Sequence, residues 1–265
     1  VGSGSAYTCP CILNSKIHKS GGFIRTLFNL VQDIYDGLLI QLFENYKVLK
    51  NTKNKIDHVI VVGDVFALIF SSLSLKKSCY FLPTAKSHLF MKHTWLEKKI
   101  MKKKAIYIYP RDKVTTEELS SKLPVKFLGN PMMDKFKNNN LNYGFDNTKA
   151  ILGILPGSRS EWIKNLINIL KIVEVLEKSQ SLQYLICLHK TSKLNLLSSR
   201  LPDHWTLKPP YLINNKLKIV ITYHFGDFLS HCWAAIGLAG TANEQAHHHG
   251  ITIFSFEGQG PQSTK

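Results

Sequence analysis

The sequence predicts an α/β protein of two domains, each built on a parallel sheet with helices on both faces. Three observations carry this. Short apolar runs of strand length recur, each followed by a turn and then an amphipathic stretch. The pattern stops once, in a polar, Asn-rich segment near the middle, and then restarts. With 265 residues, 44% of them hydrophobic, the chain is long enough for two ordinary cores.

In the first half, residues 57–62 read as a buried strand, and Gly63-Asp64 turns into a helix over 65–75. Strands follow at 78–82 and 105–109, then a helix over 111–122 in which Thr115-x-x-Glu118 reads as a capping box at the start. Residues 125–128 read as a strand that ends at Gly129-Asn130-Pro131. Apolar periodicity is lost over 137–149, where Asn residues dominate, and this segment is expected as a linker. A surface loop inside one domain is the alternative. The expected organisation is therefore an N-terminal domain over 1–136, the linker 137–149 and a C-terminal domain over 150–265.

The second half opens with a strand at 150–155. Trp162, Ile163, Leu166, Ile167, Leu170, Val173 and Leu176 then mark one face of a long helix at 3.6-residue spacing. Further strands are expected at 184–188, 218–222, 234–238 and 251–256. Two such runs describe two Rossmann-like domains facing each other across a cleft. Ligands of these sheets sit at the carboxyl ends of the strands, so each strand-end turn is a candidate site.

No apolar run approaches the roughly 20 residues that span a bilayer. The chain starts at Val1 without a basic-then-apolar leader, so no secretory signal is visible. Its cysteines, Cys9, Cys11, Cys79, Cys187 and Cys232, are odd in number and lack metal or redox spacing, which points to a reducing cytoplasm and no structural metal. Adjacent histidines His247, His248 and His249 point different ways on a helix and do not make an ion site. No nucleic-acid-binding motif is present.

The formal charge of +16 is compatible with nucleic acid, phosphorylated ligands or an anionic membrane surface, and equally with a Lys- and Asn-rich composition overall. Lys98, Lys99, Lys102, Lys103 and Lys104 follow the apolar-aromatic stretch 89–96, an arrangement suited to peripheral membrane contact; a solvated face is the plainer reading.

Several turns can carry chemistry. Pro156-Gly157-Ser158-Arg159 joins a strand to a helix and offers N–H groups and a guanidinium to an anion such as a pyrophosphate; a plain turn with an exposed Arg is the alternative. Gly237-Leu-Ala-Gly240-Thr241-Ala-Asn-Glu244 lets the backbone approach a ligand closely, with Thr241 able to cap a helix and donate to a phosphate and Glu244 placed for ribose hydroxyls. A plain capping box reads the same way. Gly258-Gln-Gly-Pro-Gln262 is a third such loop, its amides able to contact a sugar or a phosphate, although an ordinary glycine-rich loop looks the same. In the first domain, Asp64 is either a general base toward an incoming hydroxyl or simply a helix cap. Thr84, Lys86 and Ser87, with Ser20, Gly21 and Gly22, are further candidates for lining the cleft.

These residues carry a family resemblance. Leu155-Pro-Gly-Ser-Arg159 and Ala239-Gly-Thr-Ala-x-Glu244 are similar to the signature turns of lipid-A-disaccharide synthase and of the UDP-GlcNAc transferase of peptidoglycan synthesis. Ser20-Gly-Gly-Phe23, Val62-Gly-Asp64, Thr84-Ala-Lys-Ser87, Tyr109-Pro-Arg-Asp112, Gly129-Asn-Pro-Met-Met-Asp134 and Gly258-Gln-Gly-Pro-Gln262 more closely resemble the lipid-A-disaccharide synthase-related proteins of cyanobacteria and plastids. The resemblance implies a GT-B glycosyltransferase that transfers a sugar of GlcNAc type, with inversion, from a UDP-sugar to a lipid-linked or glycolipid acceptor. It implies diphosphate contacts from Arg159, with Gly157 and Ser158 in the same turn, and phosphate contacts from Gly240 and Thr241. Glu244 falls to the ribose, Gln262 to the sugar or diphosphate, and Asp64 to the catalytic base. No cofactor or metal is implied. Rivals are a UDP-sugar 2-epimerase-like enzyme and a non-catalytic nucleotide-binding protein at a membrane surface. The family pattern also implies a first βα unit before Val1 and closing helices after Lys265, so the chain is expected to be truncated at both ends.

Overall fold

The computed structural model describes residues 34–35, 38–134, 136–158, 161–177 and 181–258, and the chain divides into two compact units, 1–131 and 132–265. The first unit holds a parallel sheet in the order β1-β2-β3, made of β1 (Ile60–Val62), β2 (Cys79–Leu82) and β3 (Ala105–Ile108). Around it lie α1 (Leu38–Thr52), α2 (Val65–Leu75), α3 (Trp95–Lys104) and α4 (Lys113–Ser120). Leu68, Leu75, Phe81, Met101, Ile108 and Leu119 form its core, each no more than 2% exposed. Each such side chain stabilises the fold by about 1.5–3 kcal/mol through removal from water.

Side chains start the helices of this unit. Asp64 accepts the Ala67 N–H at 2.9 Å to open α2, which ends where Lys76 turns left-handed at φ 53°. Thr94 and Glu97 make a reciprocal capping box at the start of α3. Asp112 opens α4 by accepting the Thr115 N–H at 2.7 Å. The expected box at Thr115 and Glu118 is therefore corrected: Thr115 lies inside the helix, its hydroxyl bonded to Asp112 at 2.9 Å. Residues 125–128 also differ from expectation. They form one bridge, Ile108 to Val125, rather than a strand, because pairing stops after Lys126 donates to the Ile108 carbonyl at 2.9 Å. Nor is β1 buried on both faces; Val61 is covered, while Ile60 and Val62 are exposed.

The second unit is a seven-stranded sheet in the order β10-β9-β4-β5-β8-β7-β6. Its strands are β4 (Ile151–Leu155), β5 (Gln183–Cys187), β6 (Thr206–Lys208), β7 (Tyr211–Ile213), β8 (Lys218–Thr222), β9 (Ala234–Gly237) and β10 (Thr252–Phe254). Its helices are α5 (Trp162–Leu176), α6 (Leu194–Ser198), α7 (Phe225–His231) and α8 (Gly240–His248). Five strands, from β10 through β8, are parallel. β6 and β7 add an antiparallel hairpin at one edge that the periodicity did not reveal, since each strand has only three residues.

The face of α5 predicted from spacing is the face that packs. Trp162, Ile163, Leu166, Leu170 and Val173 are buried with Leu152 and Ile154 of β4. On the other side of the sheet Gly153 makes room for Phe228: a Cβ at Gly153 would lie 2.3 Å from that ring.

The 137–149 segment belongs by its contacts to the second unit. Asp227 of α7 accepts from the Asn139 backbone N–H at 2.8 Å and from its side chain at 3.1 Å. Tyr143 bonds Thr222 across 2.8 Å, and Gln183 accepts the Asp146 N–H at 2.8 Å. Burial alone would raise the Asp227 carboxyl, but these Asn139 and Leu141 donors hold it below the usual carboxylate range. The segment lacks apolar periodicity because polar side chains and backbone groups, rather than an apolar stripe, fasten it. Among the described residues no helix is long and apolar enough to cross a membrane.

Gly153→Ala should destabilise the second unit by about 1–3 kcal/mol, because the added methyl must displace a buried ring. Urea unfolding followed by the emission of Trp162 and Trp205, both buried in this unit, checks it. Unchanged stability would mean that Phe228 has room to move.

Candidate functional site

In the second unit the chain runs from β4 to β5 and on to β8 on one side, then returns to place β9 on the other side of β4. The strand order therefore reverses at β4, and the crevice at the carboxyl ends of β4 and β9 is a topological switch point. Three of the turns singled out by sequence meet there. The Leu238 N–H donates to the Leu155 carbonyl at 2.9 Å and so fastens the turn after β9 to the turn after β4. Gly157, at φ 95°, sits against it: a Cβ there would lie 3.6 Å from the Leu238 carbonyl oxygen. Gly258, after β10, completes the group, since its Cβ would lie 3.0 Å from the Leu238 side chain and 3.4 Å from Asn165 Oδ1.

Two asparagines support these turns. Buried Asn165, on α5, donates to the Pro156 carbonyl at 3.2 Å. Asn243, on α8, donates to the Gly237 carbonyl at 2.9 Å, and Gly237 is the residue that leaves it room, a Cβ there falling 2.1 Å from Oδ1. Sequence reasoning passed over both; an amide on the apolar stripe of α5 was the available signal for Asn165.

The start of α8 differs from expectation. Thr241 does not cap it. Ala239 is the N-cap residue and supplies no side-chain hydrogen bond, and the first turn holds no acidic residue. A nine-residue helix thus presents first-turn N–H groups, and the positive end of its dipole, without a side-chain acceptor from its own cap. Thr241 is exposed in that first turn and Glu244 is exposed one turn on. Ser158 is exposed beside Gly157. Arg159 and Gln262, like Ser20, Gly21 and Gly22, lie outside the described residues.

In the first unit the Gly63 N–H donates to the Leu82 carbonyl at 3.0 Å, which puts exposed Asp64 at the carboxyl edge of the sheet. One of its oxygens is engaged as the cap of α2. The other candidates here are bound up in structure. Lys86 pairs with Glu97 at 2.7 Å, and buried Ser87 accepts the Leu89 N–H at 3.2 Å. The Thr84 carbonyl accepts from Arg111 at 3.3 Å. Burial alone would raise the Glu97 carboxyl, yet Lys86 and the Thr94 donors hold it below the usual range.

The loop after β2 also buries two histidines that the sequence reading passed over. The His93 backbone N–H points to His88 Nε2 at 3.2 Å, and His88 Nδ1 lies 3.8 Å from Glu118. His93 Nδ1 lies 3.1 Å from the same Nε2, so the two rings share a hydrogen bond. Burial, with lysines nearby, lowers His88 and depresses His93 to about 4.

Among the described residues no three His, Cys, Asp or Glu side chains converge as metal ligands. Cys79, Cys187 and Cys232 are buried free thiols, and burial pushes Cys187 up to about 12.

The fold is GT-B-like α/β. Solved structures of UDP-GlcNAc 2-epimerases share it. The enzyme of Methanocaldococcus jannaschii, in complex with UDP-GlcNAc and UDP, superposes with a TM-score of 0.54 at 17% identity over 84% of this chain and 66% of its own. The enzyme of Neisseria meningitidis bound to UDP-GlcNAc gives a TM-score of 0.55 at 15% identity, covering 85% and 67%. In sequence, 142 residues, 49% of this chain, are 31% identical to the lipid-A-disaccharide synthase of Nitrosococcus oceani. The match spans only 33% of that protein's length. No protein-family model matches the chain.

The histidine pair sets a pH dependence. An unfolded His binds a proton near pH 6.5, whereas folded His93 does so only near 4. Between these values the unfolded chain holds more protons, so the contribution of neutral His93 is fully present above about pH 6.5 and is lost as pH falls toward 4. Denaturant midpoints of the first unit measured across this window should fall with pH, and His93→Gln should flatten the slope. An unaltered slope in the variant would rule His93 out as the cause.

Proposed function

We propose that the chain is the core of a glycosyltransferase that moves a sugar of GlcNAc type from a UDP-sugar to a lipid-linked or glycolipid acceptor. The observation that carries this reading is the meeting of three glycine turns at the switch point, beside a helix whose first turn has no side-chain cap. Such a crevice offers backbone N–H groups and close approach to a diphosphate. The partial identity to a lipid-A-disaccharide synthase supports the transferase class.

In this reading Arg159 and the α8 N-terminus neutralise the leaving diphosphate, with Gly157, Ser158, Gly240 and Thr241 around it. Glu244 accepts from the ribose hydroxyls and Gln262 reaches the sugar or diphosphate. The acceptor hydroxyl attacks the anomeric carbon directly, its proton passing to Asp64 as the bond to the diphosphate breaks. Thr84, Lys86, Ser87, Ser20, Gly21 and Gly22 stand around the acceptor, with Lys86 and Ser87 acting through the loop they brace. A UDP-sugar 2-epimerase is the second reading, favoured by the solved structures that share the fold. It needs no acceptor. A nucleotide-binding protein without catalysis is the third.

Titration calorimetry with UDP, GDP and ADP tests the donor site. UDP is expected to bind selectively, and Glu244→Ala to weaken it by roughly 10- to 100-fold through loss of a charged acceptor. Equal binding of all three nucleotides, or none by folded protein, would sink the UDP-sugar reading.

Asp64→Asn separates cap from base, because Asn caps a helix as well as Asp does. Stability should hold while turnover falls by about 10²–10⁴-fold. Product formed from UDP-GlcNAc without any acceptor would instead select the epimerase.

A further inference from the structure

A pocket of about 420 Å³ opens at the amino edge of the second sheet, where β4 and β9 begin. Residues 142–150 make one wall, and the end of α7 with Trp233 makes the other. The turns of the switch point follow the carboxyl ends of the same strands, so five-residue β4 separates the two places by roughly 15 Å. None of the residues assigned to the donor or the acceptor lines this pocket. Its volume falls within the roughly 300–1,000 Å³ of small-ligand sites.

Both walls are held in shape by bonds of the fold itself. Gln183 accepts the Asp146 N–H at 2.8 Å and donates to the Asp146 carbonyl at 2.7 Å, and Asn142 accepts the Gly144 N–H at 2.8 Å. Tyr143 is anchored through its hydroxyl to Thr222 at 2.8 Å. Opposite, the Trp233 N–H donates to the Ile151 carbonyl at 3.4 Å and carries the β4–β9 pairing one residue past the strand. Buried Cys232 and Ala234 flank it, so strand alternation turns the indole outward, 55% exposed, whereas Trp162 and Trp205 of the same unit are buried. Among the described residues no aromatic ring stacks on Trp233, and its indole N–H finds no acceptor.

Polar groups with unused hydrogen-bonding capacity surround this indole. His231 Nδ1 lies 2.7 Å from the Asp227 carbonyl, which can only accept, so Nδ1 donates there and Nε2 is left for a ligand. Thr148 occupies one oxygen of Asp146 from its N–H and hydroxyl, at 2.9 and 2.7 Å, and leaves the other open. The same Thr148 donors, with Lys149 beside them, hold the Asp146 carboxyl below the usual range, so a carboxylate and an ammonium offset each other in one wall. Asn147 is exposed next to them. Tyr143, Phe145 and His231 turn their rings on one another, at centroid separations of 5.3–6.0 Å, and enclose no cage.

We propose that this pocket binds a neutral saccharide, with the apolar C–H face of a pyranose ring on Trp233 and its hydroxyls on Asp146, Asn147 and His231 Nε2. A sugar ring is apolar across one face and carries at its rim hydroxyls that both donate and accept. The pocket has the matching parts: one open aromatic face, with donors and acceptors around it. Other ligand classes match it less well. A phosphate would meet the Asp146 carboxylate beside Lys149. An alkylammonium ion needs several open ring faces, and those of Tyr143, Phe145 and His231 are turned on one another. A nucleobase stacks best between two faces, whereas Trp233 has no ring opposite it. The inference is independent of the proposed donor site, which lies at the other edge of the sheet.

Saturation-transfer NMR on the full chain tests this, with the methyl glycosides of glucose, galactose, mannose and N-acetylglucosamine as probes. Adenosine, choline and glycerol phosphate are the controls, and excess UDP is present throughout so that a donor crevice at the other edge does not report. Transfer to at least one glycoside and to none of the controls is expected. Trp233→Ala should abolish it, Trp233→Phe should keep part of it, and Asn147→Ala should weaken binding by roughly 3- to 10-fold. Both positions are exposed, and circular dichroism checks that the variants fold. The proposal is overturned if no glycoside receives transfer, if a control receives as much, or if transfer survives in folded Trp233→Ala. Should Trp233→Ala fail to fold, Asn147→Ala decides: weakened binding supports the proposal and wild-type binding overturns it.

Discussion

The candidate site of the second unit depends on the parallel pairing of β4 with β9. These strands are distant in sequence, and their register runs from Leu152 with Ala234 to Leu155 with Gly237. Parallel strands in register end at the same edge, so the turns that follow them must lie side by side. The Leu238 to Leu155 hydrogen bond extends the ladder one step beyond the strands and locks the two turns together. Glycines at 153, 157, 237 and 258 serve this closeness in different ways. Gly153 admits a ring beneath the sheet, and Gly157 supplies a left-handed turn. Gly237 leaves space for Asn243 of α8, and Gly258 for the side chains of Leu238 and Asn165. A side chain at any of them would strain the backbone or push apart elements that have to touch.

The first unit solves a different problem at the same edge of its own sheet. The long loop after β2 has little regular structure, and polar side chains hold it. Lys86 reaches Glu97, His93 reaches His88, and the His88 N–H donates to Thr115 of α4 at 2.8 Å. Buried polar groups of this kind are costly unless paired, so the loop is specified by a network rather than by a core. Its reward is position: the same loop leads into α3 and sets the outward direction of Trp95 and Leu96. Residues that look like ligand groups in the sequence, Lys86 and Ser87, are thereby occupied in holding the loop, while Leu89 and Phe90 are turned toward solvent beside Lys92 and Thr94.

Asp64 shows how one side chain can satisfy two readings. Its carboxylate caps α2, a role that the short acceptor side chains of Asn, Ser or Thr can also fill. It is also exposed at the carboxyl edge of the sheet, where a base would have to be. Position in the fold makes both possible, and only chemistry that needs a proton acceptor distinguishes Asp from Asn there.

The sequence by itself determined the α/β alternation, most of the strands and the apolar face of α5, because these rest on local periodicity and on side chains within a few residues of one another. It also picked out the glycine turns, since strand-turn-helix punctuation is local. What tertiary structure decided was set by partners far along the chain. Asp227 draws residues 139–141 onto the second unit, so the segment expected as a linker is fastened to a sheet that begins after it. Asp112 takes the capping position that Thr115 and Glu118 were expected to fill, and Asn243 turns to Gly237 while Thr241 is left exposed. The three-residue strands β6 and β7 have too few positions to show a period, and they exist because β8 offers an edge to pair with. Local pattern fixes which elements form; long-range pairing and the satisfaction of buried polar groups fix which side chains remain for a ligand.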